Sequence, residues 1–354
     1  MINVTKTFLP PQEEFQAILE RAWSKGWMTN RGVLVQELET KLKDYLQAPN
    51  IIAMTNGTLP IQIAIKTMGL KGEIITPAFS YVATTSSVVW EGCTPVFVDM
   101  HPEYFTIDES LIEAAITSRT SGILATHVFG NPCNVEAIDR IAEKHNLKVI
   151  YDAAHCFGVS YKSKSIFDYG DVSTCSFHAT KLFHTGEGGS LSCKPELFDA
   201  MFFGHKFGHD GPETFRGLGI NAKMSELQAA MGLSVLPYMD YILENRKRVV
   251  SYYRANLDLQ SLKVREGTKW NYSYYPVLFD SENELLDAVS GLNKAEIFPR
   301  RYFYPSLDSL NYTELAEVPV THDITRRILC LPLSHNLEEQ GLERIVEIIK
   351  NTRD

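Results

Sequence analysis

Short apolar runs alternate with helical patterns along the first half of the chain. From residue 51 the runs IIAMT, GEIITP, TPVFVD, GILATHV and LKVIYD have the length of buried strands, and helical patterns occur between them over 59–69, 109–117 and 135–145. Alternating strands and helices predict βαβ crossovers and a mainly parallel sheet. Two amphipathic helices are predicted before this region, over residues 12–24 and 33–46.

The pattern changes after residue 195. A long helical stretch over 224–257 is broken by Pro237, and shorter strands and helices follow it. This change predicts a large domain over residues 1–239 and a smaller C-terminal α+β domain over 240–354. Ligands of open α/β sheets bind at the carboxyl ends of the strands, so the chemistry is expected there.

Composition narrows the function classes. With 44% hydrophobic and 22% charged residues in 354, the chain has the composition of a folded globular protein and not of a disordered one. The balance of 34 Lys+Arg against 43 Asp+Glu gives a net charge of −9, which disfavours a nucleic-acid-binding surface. The acidic average does not exclude a local basic pocket for a phosphorylated small molecule. A soluble enzyme is expected.

The cysteines and the N-terminal region point to a cytoplasmic protein. The six cysteines are far apart and form no C-x-x-C pair, which favours reduced thiols over disulfides or a zinc knuckle. The N-terminus shows no signal-peptide pattern, and the longest uncharged stretch, Ile74 to Trp90, contains too many Thr, Ser and Pro residues for a membrane span. His205 and His209 are spaced like zinc ligands but have no adjacent Glu and no evident third ligand, so no metal site is expected.

The segment Thr55-Asn56-Gly57-Thr58 closes one strand and opens a helix. Free N–H groups at the helix N-terminus, with Thr58 as cap and Gly57 admitting close approach, would bind a phosphate. Taken alone, the segment is better explained as a plain helix cap.

Two further segments carry ionisable groups of opposite charge. Asp152 ends the run VIYD, where a buried carboxylate needs a cationic partner unless it only caps the next helix. Lys181, in SFHATK, has apolar and small neighbours that favour a low pKa and a nucleophilic amine, although a surface lysine before a glycine-rich hairpin has the same pattern. Together with the phosphate seat, these two residues are what pyridoxal phosphate requires.

These motifs resemble the DegT/StrS family of nucleotide-sugar aminotransferases. The resemblance runs nearly end to end, through GWMTNRGVLVQELE, TNGT, TPAFSYVATTSSVVWEGCTPVFVD, YDAAHCFG, SFHATKLFHTGEGG and GINAKMSELQAAMG. It implies the type I (aspartate aminotransferase) fold of pyridoxal-phosphate-dependent transferases and a homodimer with two shared sites. Within the family, the chain resembles most the enzymes that aminate dTDP-4-keto-6-deoxy-D-glucose at C4, in deoxyamino-sugar synthesis such as that of O-antigens.

The resemblance assigns roles to single residues. Lys181 matches the Schiff-base lysine, Asp152 the partner of the pyridine nitrogen, and His155 the residue near the phenolic oxygen. The other matches are phosphate contacts at Gly57, Thr58 and Ser176, an aromatic ring stacked on the cofactor at Tyr81, and an asparagine lent by the neighbouring subunit at Asn221.

The substrate side is less sharply defined. Arg301 and Tyr302, in RRYFYP, resemble the substrate-side loop, although an exposed charged turn has the same composition. His178 and His184 flank Lys181 and are further candidate pocket residues, and a structural role for them is equally open. The chain departs from the family at Pro60, where Ala is common, and at Lys223, where Arg is frequent. The second departure leaves open whether Lys223 makes an interface or a substrate contact.

The implied reaction is a two-step transamination. L-Glutamate gives its amino group and leaves as 2-oxoglutarate, and a dTDP-linked keto-deoxy sugar then accepts the group, with Lys181 as covalent anchor and general acid/base. Three alternatives are kept: amination at C3 of a 3-keto sugar, a C3-dehydrating relative, and a non-catalytic cofactor-binding regulator. The dehydrating relatives have His in place of Lys181, which argues against that reading.

Overall fold

The protein is described by a computed structural model, which covers residues 1–353. The elements of the first part of the chain are β1 (Ile2–Asn3), α1 (Gln12–Trp23), α2 (Val33–Leu46), β2 (Ile52–Met54), α3 (Leu59–Thr67), β3 (Glu73–Pro77), α4 (Val82–Trp90), β4 (Thr94–Val98), α5 (Glu109–Ile112), β5 (Thr120–Thr126), α6 (Val135–His145), β6 (Lys148–Asp152), β7 (Ser160–Tyr161), β8 (Lys164–Ser165), β9 (Val172–Ser176) and β10 (Gly189–Cys193). Those that follow are α7 (Phe198–Gly204), α8 (Glu226–Val235), α9 (Met239–Asn256), β11 (Gln260–Ser261), β12 (Thr268–Lys269), β13 (Tyr275–Leu278), α10 (Glu282–Lys294), β14 (Ile297–Phe298), α11 (Pro319–Arg327), β15 (Ile328–Leu331) and α12 (Glu339–Arg353).

A seven-stranded sheet forms the centre of the first part, in the order β2-β10-β9-β6-β5-β3-β4. All neighbouring strands pair in parallel except β10, which is antiparallel to β2 and β9. The α/β class and the mainly parallel sheet predicted from the sequence are confirmed. The predicted helix over 109–117 is shorter, since only Glu109–Ile112 is α-helical and a 3-10 turn follows it.

Both faces of this sheet are buried. Along β5, Ile123 and Ala125 belong to one hydrophobic cluster, whereas Leu124 between them belongs to the cluster on the opposite face. Alternate side chains of a strand point to opposite faces, so helices cover both sides of the sheet. This arrangement leaves the carboxyl ends of the strands as the place for a cleft.

The last part of the chain has its own core. Strands β11, β13 and β15 form an antiparallel sheet that packs with α9, α10 and α12 around buried residues such as Val277, Leu292 and Ile345. The N-terminal strand also joins this part, because Ile2 and Asn3 pair in parallel with β14. Within residues 1–353, no helix is both long and apolar enough to cross a membrane.

Helix α8 connects the loops that surround the strand ends. Its first turn has a capping box, in which Ser225 and Gln228 exchange hydrogen bonds. The Gln228 side-chain amide then donates to the carbonyl oxygens of Thr55, at 3.0 Å, and Glu187, at 2.7 Å. The segment GINAKMSELQAA therefore holds the loop after β2 and the glycine-rich loop before β10 in fixed relative positions.

Candidate active site

A cavity of about 390 Å³ lies at the carboxyl ends of the parallel strands. Nine residues singled out in the sequence line it: Gly57, Thr58, Tyr81, Asp152, His155, Ser176, His178, Lys181 and Tyr302. Its wall also includes residues from the second part of the chain, namely Tyr274, Arg300 and Phe303. The fold thus brings together groups that are up to 247 residues apart, from Asn56 to Phe303.

One end of the cavity is formed by the loop between β2 and α3. The Asn56 side-chain oxygen accepts the N–H groups of Thr58 and Leu59, both at 2.9 Å, whereas the Thr58 side chain makes no capping bond. The expectation that the Thr58 side chain caps the helix is therefore wrong. The Asn56 side chain accepts the first N–H groups of the helix instead. A Cβ at Gly57 would lie 2.7 Å from Cβ of Ser176, so only glycine lets this loop approach the end of β9.

Asp152 ends β6 and is buried, with 5% of its surface exposed. Its Oδ2 accepts a hydrogen bond from the Thr84 hydroxyl at 2.7 Å, and its Oδ1 accepts one from the Ala154 N–H at 3.1 Å. Burial raises the pKa of Asp152, while these two hydrogen bonds and the charge of Lys181 oppose the rise. The carboxylate is thus a buried acceptor that favours a cationic N–H partner.

Lys181 lies in the loop between β9 and β10, with its Nζ 5.8 Å from the centre of the Tyr274 ring. Burial lowers the pKa of Lys181, and the nearby Asp152 carboxylate raises it. Since an amine must lose its proton before it can act as a nucleophile or base, the lowered pKa favours such chemistry. Burial also raises the pKa of Tyr302 to about 12, so its phenol stays protonated at neutral pH.

Two aromatic side chains form the walls of the cavity near these groups. Tyr81, the residue before α4, is 52% exposed, so its ring is free to pack against a flat ligand. The His155 imidazole lies parallel to the Phe303 ring, with 5.8 Å between the ring centres and 8° between the planes.

Three residues expected at the site lie elsewhere in this chain. His184 is buried, and its Nε2 is 2.6 Å from the carbonyl oxygen of Phe8, so it holds the N-terminal segment and does not line the cavity. Arg301 does not line the cavity, and its guanidinium contacts Glu282 at 2.6 Å. Asn221 is exposed and does not line the cavity of its own chain. Its Oδ1 accepts a hydrogen bond from Lys223 Nζ at 2.6 Å.

Arg300 and Glu187 also line the cavity, and the sequence identified them only as parts of the segments RRYFYP and SFHATKLFHTGEGG. Arg300, and not its neighbour Arg301, lines the cavity, and its guanidinium carbon is 5.1 Å from the centre of the Tyr302 ring. His178 and Glu187 form a pair among the lining residues, with 3.5 Å between His178 Nε2 and Glu187 Oε1. Which of Arg300 and Arg301 lines the cavity depends on the path of the loop, so no sequence pattern distinguishes them.

The residues present fit pyridoxal phosphate. Gly57 with the hydroxyls of Thr58 and Ser176 can bind a phosphate, the buried Asp152 can pair with a protonated ring nitrogen, and Lys181 can bind an aldehyde. Among residues 1–353, no group of His, Cys, Asp or Glu side chains is arranged to hold a metal ion. His205 and His209 form no such group, since His205 is buried with its Nδ1 against the carbonyl of Phe202.

Comparisons with known proteins agree with this chemistry. The profile of the DegT/DnrJ/EryC1/StrS aminotransferase family matches residues 11–350. The chain is 41% identical to a dTDP-4-amino-4,6-dideoxy-D-glucose transaminase of Shigella dysenteriae over 99% of both chains, and 35% identical to one of Escherichia coli over 98% of both. Among solved structures, DesI in the presence of its TDP-sugar product superposes with a TM-score of 0.93 at 29% identity, covering 99% of this chain and 92% of that one. The chain therefore belongs to the DegT/DnrJ/EryC1/StrS aminotransferase family and is a pyridoxal-phosphate-dependent sugar aminotransferase.

Proposed function

We propose that the enzyme transfers the amino group of L-glutamate to C4 of dTDP-4-keto-6-deoxy-D-glucose and forms dTDP-4-amino-4,6-dideoxy-D-glucose. The observation that carries this proposal is the similarity, over nearly the whole length, to two transaminases of that name. The cavity supports it, because its lining combines the candidate cofactor groups with Arg300 and Tyr302.

Bound pyridoxal phosphate supplies an electron sink that makes a proton on the amino-bearing carbon removable. In our proposal Lys181 Nζ would hold the aldehyde and would serve as the base that takes this proton and as the acid that returns it. The lowered pKa of Lys181 suits both tasks, because it increases the fraction of neutral amine. Asp152 would pair with the protonated ring nitrogen, and the Tyr81 ring would stack on the cofactor ring.

The choice between C4 and C3 is a matter of position in the sugar pocket. The two carbons are about one C–C bond length apart, and reacting groups tolerate an error of roughly an ångström. Arg300 is the candidate anchor for the diphosphate, since a guanidinium binds phosphate oxygens in pairs. A fixed diphosphate therefore sets which carbon reaches Lys181.

Product analysis tests this proposal. The 4-keto and 3-keto isomers of the dTDP-sugar are supplied under identical conditions with [15N]glutamate, and the nitrogen-bearing carbon is located by NMR. We expect 15N at C4, with the large H3–H4 and H4–H5 couplings of an equatorial amine. A strong preference for the 3-keto isomer would overturn the regiochemistry, and an unlabelled product would exclude glutamate as donor.

We further propose a homodimer with shared sites, in which Asn221 reaches the partner's cofactor phosphate. Its exposed position, outside the cavity of its own chain, supports this assignment. When inactive Lys181→Ala chains are mixed with inactive Asn221→Ala chains, activity is expected to return, because one site of each mixed dimer carries neither change. A fully active monomer at assay concentration would contradict the shared site.

The remaining proposals concern location and organisation. The six cysteines are all free and buried, which supports the cytoplasm as the location. The separate core around β13 and β15 supports a small C-terminal domain from residue 240, to which β1 adds a strand. We propose that the product serves deoxyamino-sugar synthesis such as that of O-antigens.

A further inference from the structure

A chain of buried hydroxyl groups leads to Asp152. Oγ1 of Thr126 lies 2.9 Å from Oγ of Ser80, which lies 2.7 Å from Oγ1 of Thr84, which donates to Oδ2 of Asp152 over 2.7 Å. None of the four side chains is more than 5% exposed. Thr126 ends β5, Asp152 ends the adjacent β6, and Ser80 and Thr84 belong to the connection from β3 into α4.

The direction of these bonds follows from the ionised carboxylate. A carboxylate can only accept, so the single proton of the Thr84 hydroxyl is directed at Asp152. Thr84 must then accept from Ser80, and Ser80 in turn must accept from Thr126. The three hydroxyl dipoles are aligned toward the carboxylate, and each bond polarises the next.

We propose that Thr84, supported by Ser80 and Thr126, is a positioning residue that keeps Asp152 ionised and correctly oriented toward the cofactor. Thr84 does not line the cavity, so it acts only through Asp152. The inference rests on the proposed pairing of Asp152 with the ring nitrogen. It adds that a buried carboxylate at this depth holds its charge because dedicated donors oppose the cost of burial.

Few other groups contribute to the charge of Asp152. The titratable side chains that face it are Lys181, Cys156 and Cys175. Burial raises the pKa of both thiols, which are therefore neutral at working pH and supply no charge. Among residues 1–353, the other groups that stabilise the carboxylate are the Ala154 N–H and the charge of Lys181, and Lys181 loses its charge when it acts as an amine.

The sequence offers a matched control for Thr84. Thr85, the next residue of α4, is also fully buried, but its Oγ1 has no hydrogen-bond partner among the described residues. Thr84→Val and Thr85→Val therefore remove the same atoms from the same helix, and only the first removes a donor to Asp152. Thr84→Ser keeps the hydroxyl and serves as the conservative variant.

The test measures pyridoxal phosphate binding by absorbance titration between pH 5 and 8. For Thr84→Val we expect affinity roughly tenfold lower at neutral pH, the loss of a hydrogen bond to a charged group. We also expect its loss of affinity on acidification to begin at a higher pH than in the unchanged protein. Thr84→Ser and Thr85→Val should follow the unchanged protein. The inference is overturned if Thr84→Val shows no displacement, if Thr84→Ser behaves like Thr84→Val, or if Thr85→Val is displaced equally.

A second measurement needs no cofactor. In urea unfolding of the cofactor-free protein, the stability difference between the unchanged protein and Thr84→Val should grow as pH rises, because ionisation of Asp152 then costs more. A purely structural role would give a difference that is independent of pH and would overturn the inference. If Thr84→Val does not fold, Ser80→Ala interrupts the same chain and should shift both curves less, in the same direction. Asp152→Asn with unchanged cofactor binding would refute the pairing of Asp152 with the cofactor, while the unfolding data still test the hydroxyl chain.

Discussion

The backbone N–H of Phe129 donates a hydrogen bond to Nδ1 of His155 over 3.1 Å. A neutral imidazole that accepts at Nδ1 carries its proton on Nε2, so His155 is fixed in one tautomer. Burial holds the pKa of His155 well below its usual range, with a smaller contribution from Lys181. His155 is therefore a neutral hydrogen-bond donor at the cavity and not a proton-transfer group at neutral pH.

This state of His155 predicts how its variants behave. His155→Gln keeps an N–H donor and should retain most of the activity, whereas His155→Phe should lower kcat/KM roughly tenfold, the cost of one lost hydrogen bond. The pH profile of kcat/KM between pH 6 and 8 should keep its shape in His155→Gln. A missing inflection in that variant would show that His155 titrates during turnover.

Lys181→Ala should abolish turnover. Loss of a general acid/base typically costs on the order of 100- to 10,000-fold, and the covalent anchor is lost with it. The variant should still bind pyridoxal phosphate, because Asp152, Gly57 and Ser176 are intact. Borohydride reduction of the unchanged enzyme followed by peptide mapping should place the label on Lys181, and label on another lysine would contradict the assignment.

Arg300→Ala and Arg301→Ala should differ sharply. Arg300 lines the cavity, so its loss should raise KM for the nucleotide sugar roughly tenfold or more, the range of a charge-assisted hydrogen bond. Arg301 pairs with Glu282 outside the cavity, so its loss should leave KM close to that of the unchanged enzyme. Steady-state kinetics at varied concentrations of the nucleotide sugar gives KM for both variants. A larger increase of KM in Arg301→Ala than in Arg300→Ala would favour the assignment made from the sequence.

Gly57→Ala should weaken cofactor binding strongly. The added methyl would lie 2.7 Å from Cβ of Ser176, so the loop must move away from β9 and take its phosphate-binding groups with it. The control is Gly204→Ala, at a helical position where the nearest atom to the added methyl is Thr67 Oγ1 at 3.4 Å. Absorbance titration should show at least about tenfold weaker binding for Gly57→Ala only. Equal binding by both variants would argue against a close approach at Gly57.

Two further buried histidines should make the enzyme sensitive to acid. Burial lowers the pKa of His127 to about 3 and that of His205 to about 4. Because the folded-state pKa is depressed, the unfolded chain binds protons first as pH falls below about 6.5, and each histidine should reduce the unfolding free energy by about 1.4 kcal/mol per pH unit down to its folded pKa. Urea unfolding between pH 6.5 and 5 should show a shallower slope for His205→Gln. An unchanged slope would show that His205 is not buried in its neutral form.

Much of the fold and of the cofactor chemistry could be predicted from local sequence. Apolar runs of strand length between helical patterns determined the parallel sheet, because burial on both faces removes polar residues from the strands. Asp152 was found because it ends such a run, and Lys181 because apolar and small residues surround it in SFHATK. An ionisable residue that stands next to apolar segments can be recognised from the local sequence alone.

Other features were decided only by the tertiary structure. Ser80, Thr84 and Thr126 look like ordinary hydroxyl residues, and only the adjacency of β3, β5 and β6 aligns them on Asp152. The same holds for Arg300 and Arg301, whose positions inside and outside the cavity depend on the path of one loop. The sequence by itself determined which ionisable and polar side chains this protein has available, since the pattern of apolar residues around each of them can be read locally. Which of those groups meet was decided by the packing of distant segments, because hydrogen bonds and ion pairs act only over a few ångströms.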